Sequence, residues 1–187
     1  YNGAAPSNSG NGIVSLQEPV HTDLEPRLES DGYIWKYLYT IKPSDIIKFD
    51  SAEFIPVPAD WSSNTAVADV RNAAVDGKIE TIVIEDVTNA TYQFNGTKNA
   101  VPIRGDGSDG LASVTFINGK PSAVQVTNGG SGYSFGTLDL DDVVTGSGAS
   151  FSVIVPPPGG HGADIYRELG ANKVLVYSRI ENSDVTN

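Results

Sequence analysis

The chain has 187 residues, 39% hydrophobic and 19% charged, so it folds around one sizeable core or two small ones rather than staying disordered. A net charge of −11 and a pI near 4.4 exclude a phosphate-tracking surface, which needs clustered Lys and Arg, so no nucleic-acid partner is expected. Cysteine is absent, which removes disulfide frameworks, thiolate nucleophiles and Cys-based zinc sites, and no apolar run reaches about 18 residues, so no membrane span is expected.

The chain begins at Tyr1 and holds no methionine, which reads as a fragment or a processed product of something longer. Residues 1–12 (YNGAAPSNSGNG) are a low-complexity, flexible linker, too poor in apolar groups to order themselves. From Ile13 to Glu29, Pro19 and Pro26 interrupt any periodicity, and the segment reads as an extended arm laid on a surface.

Asp31 to Ile41 holds four of the eight tyrosines and one of the two tryptophans. Period-2 reading predicts a strand over 33–41, with Tyr33, Trp35, Tyr37 and Tyr39 on one face and Ile34, Lys36, Leu38 and Thr40 on the other. Both faces need cover, so these four aromatics are candidate interface or core residues. Pro43 is expected to stop that strand, and Ser44 to cap a single helical turn through Asp45-Ile46-Ile47. Phe54 to Pro58 reads as extended, because each proline biases its predecessor away from helix. A helix follows over Asn64–Val75, capped by Asn64 or Thr65 and ended by Gly77 in the left-handed conformation.

Beyond this point the chain is β-rich and duplicated. Asp76-Gly77-Lys78 matches Asn118-Gly119-Lys120, both hairpin-type, and Ile82 and Ile84 match Val124 and Val126 at an offset of about 42 residues. Each copy passes through a turn to an aromatic, Tyr92 or Tyr133. Ala112–Phe116 then matches Ala149–Val153 at about 37, a shorter offset that reads as a loop deletion. Two copies give a duplicated antiparallel β-sandwich or partly open barrel rather than a solenoid. Pro156-Pro157-Pro158 closes the region; a helix over 163–169 with Gly170 as its C′ residue and a strand over 173–180 follow. The fold class is therefore mainly β with a few short helices (α+β). The organisation expected is an inserted β domain, 76–156, within a mixed domain built from 13–75 and 157–187.

Sequence motifs with chemical potential are few. Gly105-Asp106-Gly107-Ser108-Asp109-Gly110 has calcium-type donors but lacks EF-hand spacing and its terminal Glu, so a tight turn is the better reading. Asp139-Leu140-Asp141-Asp142 reads as a solvated loop. Gly159-Gly160-His161-Gly162 opens a helix without the phosphate-loop pattern, and His161 and His21 have no metal-type spacing. Gly129, Gly130, Gly132 and Tyr133 form a structural turn in which Tyr133 packs back over the glycines; an aromatic stacking on a sugar is the alternative. No catalytic, cofactor or metal residues are assigned.

Three runs are specific enough to carry a family resemblance: Glu18 to Arg27 (EPVHTDLEPR), Asp31 to Ile41 (DGYIWKYLYTI) with Ile46 to Asp50 (IIKFD), and Gly159 to Gly170 (GGHGADIYRELG). Together they resemble the baseplate wedge subunit of T4-type contractile-tailed phages, the product of gene eight, in its cyanophage versions. The likeness spans roughly residues 13 to 180 and reads as an internal fragment of that family. It implies a non-enzymatic structural protein of several small β domains, one inserted in another. It further implies a homodimer that contacts other wedge proteins, in the tail baseplate of the virion, assembled in the host cytoplasm. The alternative reading is a carbohydrate- or calcium-binding β-sandwich module of a phage fibre or a secreted protein.

Overall fold

The computed structural model describes residues 14–180. The 1–12 linker lies outside the described residues. In the N-terminal part, β1 (Arg27–Leu28) pairs antiparallel with β2 (Ile34–Trp35), and Gly32 takes φ +85° at the turn between them. The strand expected over 33–41 is thus only two residues long. From Lys36 to Lys42 the chain belongs to no strand. Alternating aromatics report an extended backbone with two covered faces; here cover comes from side chains packed on a second element, not from a strand ladder.

Helix α1 (Pro43–Phe49) corrects the expected cap. Pro43 occupies the first helical position, where its missing N–H costs nothing, and Lys42 rather than Ser44 precedes it as the cap. None of its residues is buried. The helix expected over 64–75 is a 3-10 turn (Thr65–Val67) running into a short α2 (Ala68–Ala73), with the Asn64 side chain accepting from the Ala66 N–H as the cap. Ala74 is already extended, so Gly77 does not end this helix.

The β-rich region builds a curled antiparallel barrel. Its strands are β3 (Thr81–Asp86), β4 (Thr91–Tyr92), β5 (Gly96–Gly105), β6 (Ser108–Ile117), β7 (Lys120–Ser131), β8 (Gly136–Leu138), β9 (Gly146–Ser147) and β10 (Ser150–Ile154). Four of them hydrogen-bond in the order β7-β6-β5-β8, while β10 pairs with β3 and β4 with β9. β8 packs beside β10 and β3 beside β7, which closes a six-stranded ring. At Asn118-Gly119 the β6–β7 hairpin turns with both residues at positive φ, 52° and 73°, as a two-residue type I′ turn requires. Asp76-Gly77 makes no such hairpin.

The ring explains how the duplication is used. Copy one supplies β3 and β6, and copy two supplies β7 and β10. Each first strand pairs with the second strand of the other copy: Val124↔Val114 and Val126↔Ala112 in one pair, Ile82↔Val153 and Ile84↔Phe151 in the other. The registers differ by two residues, a shift that keeps every side chain on its own face. The two copies therefore interlock about a pseudo-twofold axis rather than folding side by side.

Strand β6 shows the pattern most clearly: Gly110, Ala112, Val114 and Phe116 point inward and alternate with more accessible neighbours. Phe116 takes Tyr92 and Phe94 edge-on, at 5.3 and 5.6 Å between centroids. Each such pair contributes about 0.5–1.5 kcal/mol beyond its burial. This barrel core draws its residues from the stretch between Ile79 and Val155. A second, smaller core gathers Trp61, Val67, Val70 and Ile165, with Leu24, Tyr37, Leu38, Tyr39, Val57 and Tyr166 packed against it. Short α3 (Ile165–Glu168) is capped by Asp164, whose carboxylate accepts from the Tyr166 and Arg167 N–H groups, and Gly170 follows at φ +64°. The predicted strand over 173–180 is not formed: these residues belong to no sheet among the described residues.

Candidate interaction surface

The four aromatics flagged in the sequence do not share one face. Tyr33 and Trp35 lie against each other at 6.2 Å near the surface, with Trp35 partly exposed. Tyr37 and Tyr39 turn instead onto the second core. Tyr39 stands edge-on to Trp61 at 6.2 Å and donates its hydroxyl to the Pro56 carbonyl at 3.0 Å. Burial raises the Tyr39 phenol above its ordinary value.

Trp61 is the hub that periodicity could not find, since it lies between a Pro-rich stretch and a helix start. It is 2% exposed, and its indole N–H donates to the Gly162 and Ala163 carbonyls, both at 3.2 Å. Its backbone N–H donates to the Tyr166 hydroxyl at 3.1 Å, which donates onward to the Pro58 carbonyl at 2.7 Å. Arg71 binds the Trp61 and Asn64 carbonyls at 2.6 and 2.7 Å. One side chain thus ties residues 58–71 to 162–166. His161 takes part in the same junction: its Nδ1 lies 2.7 Å from Glu168 Oε1, and Glu168 Oε2 accepts from the Gly162 N–H at 2.7 Å. Burial pushes the Glu168 carboxyl up, but the His161 and Gly162 hydrogen bonds with the His161 and Lys36 charges outweigh it, and the group sits below its ordinary value. Lys36 in turn pairs with the buried Glu80 at the edge of the barrel.

Tyr133 is buried inside a cradle of glycines. Its hydroxyl donates to the Ile103 carbonyl at 3.0 Å and accepts from the Gly110 N–H at 3.1 Å. A Cβ at Gly107 would lie 2.5 Å from the ring, one at Gly110 2.6 Å from the hydroxyl, and one at Gly77 2.1 Å from the Tyr133 backbone nitrogen. Within the 129–133 turn, Gly129 backs onto the Ile79 carbonyl, Gly130 (φ +60°) onto that of Ser108, and Gly132 takes φ +75°. With 4% exposure the ring cannot stack on a sugar. Asp106 serves the same turn, accepting from the N–H and hydroxyl of Ser134 and from the Phe135 N–H. The Ser134 hydroxyl bond leads the effects that hold its carboxyl down at about 2. Among the described residues no group of three or more His, Cys, Asp or Glu is placed to hold a metal ion. Asp139, Asp141 and Asp142 are exposed, around a buried Leu140 that anchors their loop.

Both described ends of the chain carry bare apolar surface. At the C-terminal side Val174 and Val176 are 90% and 84% exposed, and Ile180 is similarly bare. Tyr177 lies under Lys48 at 5.2 Å, and Leu175 lines a groove of about 970 Å³ with Tyr39, Ile55, Val57 and Leu169. On α1, Ile47 is likewise bare, at 86% exposure. At the N-terminal side Leu16 and Val20 are exposed on an arm held by one carboxylate. Asp31 accepts from the Ser15 hydroxyl at 2.6 Å, the Leu16 and Gln17 N–H groups at 2.9 and 3.0 Å, and the Tyr33 N–H at 3.1 Å. These bonds, the Ser15 hydroxyl foremost, hold its carboxyl at about 2.

Comparison with family models, curated proteins and solved structures finds no match. No helix among the described residues is long and apolar enough to cross a membrane.

Proposed function

We propose that the chain is a structural subunit of the baseplate wedge of a contractile phage tail, acting through assembly with itself and with neighbouring wedge proteins rather than through catalysis. One observation carries the reading beyond the sequence resemblance. The runs that resemble the wedge family are far apart in the chain, yet Leu24, Tyr37 to Tyr39, Ile165 and Tyr166 from all three meet around Trp61 in one buried core. The bare apolar residues at 14–20 and 174–180 flank that unit and give an assembly protein surfaces to bury.

The test is binding to the products of tail genes encoded beside this one. Co-purification of the full chain with at least one of them is expected. Neighbouring genes unrelated to tails, or no retention by any tail protein, would remove the reading. The sugar- or calcium-binding alternative predicts a rise in melting temperature on adding calcium or oligosaccharide; the wedge reading predicts none.

A further inference from the structure

We propose that residues 25–36, which contain the β1–β2 hairpin, form a hinged strap over the seam between β3 and β7, latched to the barrel by two ion pairs of unequal strength. At its base Leu24 and Tyr37 both pack on the second core, while none of residues 25–36 is buried. Glu25 at one end accepts from Lys78 Nζ at 2.7 Å, and Lys36 at the other donates to Glu80. Lys78 and Glu80 flank Ile79, whose N–H donates to the Gly129 carbonyl at 2.9 Å, so both ends of the strap are fastened to one short stretch of the barrel wall. Between the fastenings lies a cleft of about 530 Å³, lined by Leu28 and Ile34 of the hairpin and by Thr81, Val124 and Val126 of the barrel. Thr81 faces away from the barrel core, since its neighbour Ile82 lies in that core, yet it is only 5% exposed. Farther along the same face, beyond the cleft, Val83 is half-buried and Glu85 exposed. The outward face of β3 is thus covered where the hairpin stands and uncovers past it.

The two fastenings differ in their surroundings. Lys36 and Glu80 keep 15% and 7% of their side chains exposed, so parting them leaves two charges poorly solvated. Glu25 is 70% exposed, and salt screens its attraction to Lys78. The strap therefore releases first at Glu25 and pivots on Lys36 and Tyr37. Neither core has to open, because residues 25–36 contribute to neither. At the tip of the hairpin, Asp31 accepts from the Ser15 hydroxyl and from the Leu16 and Gln17 N–H groups, so the N-terminal arm travels with the strap. A pull on residues 15–17, or a rise in salt, reaches the β3–β7 seam through this one element. The device goes beyond the assembly reading and does not rest on it.

The chain has no cysteine, so a single introduced thiol reports on one place. Thr81→Cys sits under the strap, and Val114→Cys, at a position 0% exposed in the barrel core, reports opening of the barrel itself. Each variant of the full chain is labelled with a maleimide at low and at high salt. Thr81→Cys is expected to label at least ~10-fold faster than Val114→Cys, because lifting the strap takes less than opening the barrel. High salt should speed it further. Adding Glu25→Gln to Thr81→Cys should speed labelling about 2–5-fold at low salt and remove most of the salt dependence, with the Val114→Cys rate unchanged. Glu25→Lys together with Lys78→Glu should restore slow labelling. Ile82→Cys, also on the cleft wall, repeats the measurement if Thr81→Cys does not fold. Labelling under the strap no faster than at Val114→Cys, or a rate that neither salt nor Glu25→Gln changes, overturns the proposal.

Discussion

Tyr133→Phe removes one oxygen from the barrel and nothing else. That oxygen joins two backbone groups that have no water to turn to: it donates to the Ile103 carbonyl and accepts from the Gly110 N–H. Each buried partner left unsatisfied costs about 1–3 kcal/mol, so losing both should destabilise the chain by roughly 2–6 kcal/mol. The ring itself still fills the glycine cradle, so no cavity opens. In urea the expected result is a lower midpoint with an unchanged slope, because the surface exposed on unfolding is the same. A loss below about 0.5 kcal/mol would refute the reasoning, since it would mean that water or a shifted backbone satisfies both groups. Tyr133→Ala, which also empties the cradle, should cost more than Tyr133→Phe in the same assay.

Other substitutions follow the same logic. Gly107→Ala places a methyl 2.5 Å from the Tyr133 ring and should lose about 1–3 kcal/mol in the same assay, whereas no loss would mean the ring moves freely. Trp61→Ala should cost about 3–5 kcal/mol and loosen residues 162–166, seen as faster amide exchange there than in β6; protection that stays uniform would contradict the hub. His21 buries both ring nitrogens without a hydrogen-bond partner, its Nδ1 lying 4.0 Å from Asp23, so His21→Leu should be neutral or stabilising by up to about 2 kcal/mol, and a clear destabilisation would show that the Asp23 contact outweighs the burial. Acid should release the N-terminal arm. The Asp31 carboxyl sits at about 2 in the folded chain against an ordinary 3.8, so its contribution is complete above pH 3.8 and disappears as pH falls through 2. Proteolysis near residues 14–17 should speed up over that window and, in Asp31→Asn, be fast already at neutral pH; equal rates in both chains would dismiss the clamp.

Several features of the fold were legible because a short stretch of chain determines them. Asn118-Gly119 encodes its hairpin through two positive φ values, and the alternation in 112–116 encodes a half-buried strand. The internal repeat was visible as well, but not its use. Period-2 patterns say which face a residue occupies and not which strand lies alongside, so the exchange that pairs β3 with β10 could not be read from them. The 33–41 segment shows the same limit in reverse. Its alternation is genuine, yet Tyr39 is covered by Trp61 and Pro56, 17 or more residues away in the chain, and beyond Trp35 a strand is neither needed nor formed. Trp61 gives no periodic signal, because it is a lone aromatic after two prolines. Its only signals were its size and the scarcity of tryptophan in the chain. The glycine at 107 looked like turn chemistry or a calcium loop; its cause lies 26 residues on, in the ring of Tyr133.

The central claim, that this chain works by assembling with tail proteins, is tested most directly by sedimentation velocity of the full chain mixed with the products of its neighbouring genes. The account predicts a faster boundary containing both proteins at a fixed ratio. A chain that sediments alone, unchanged by every tail protein offered to it, would contradict it.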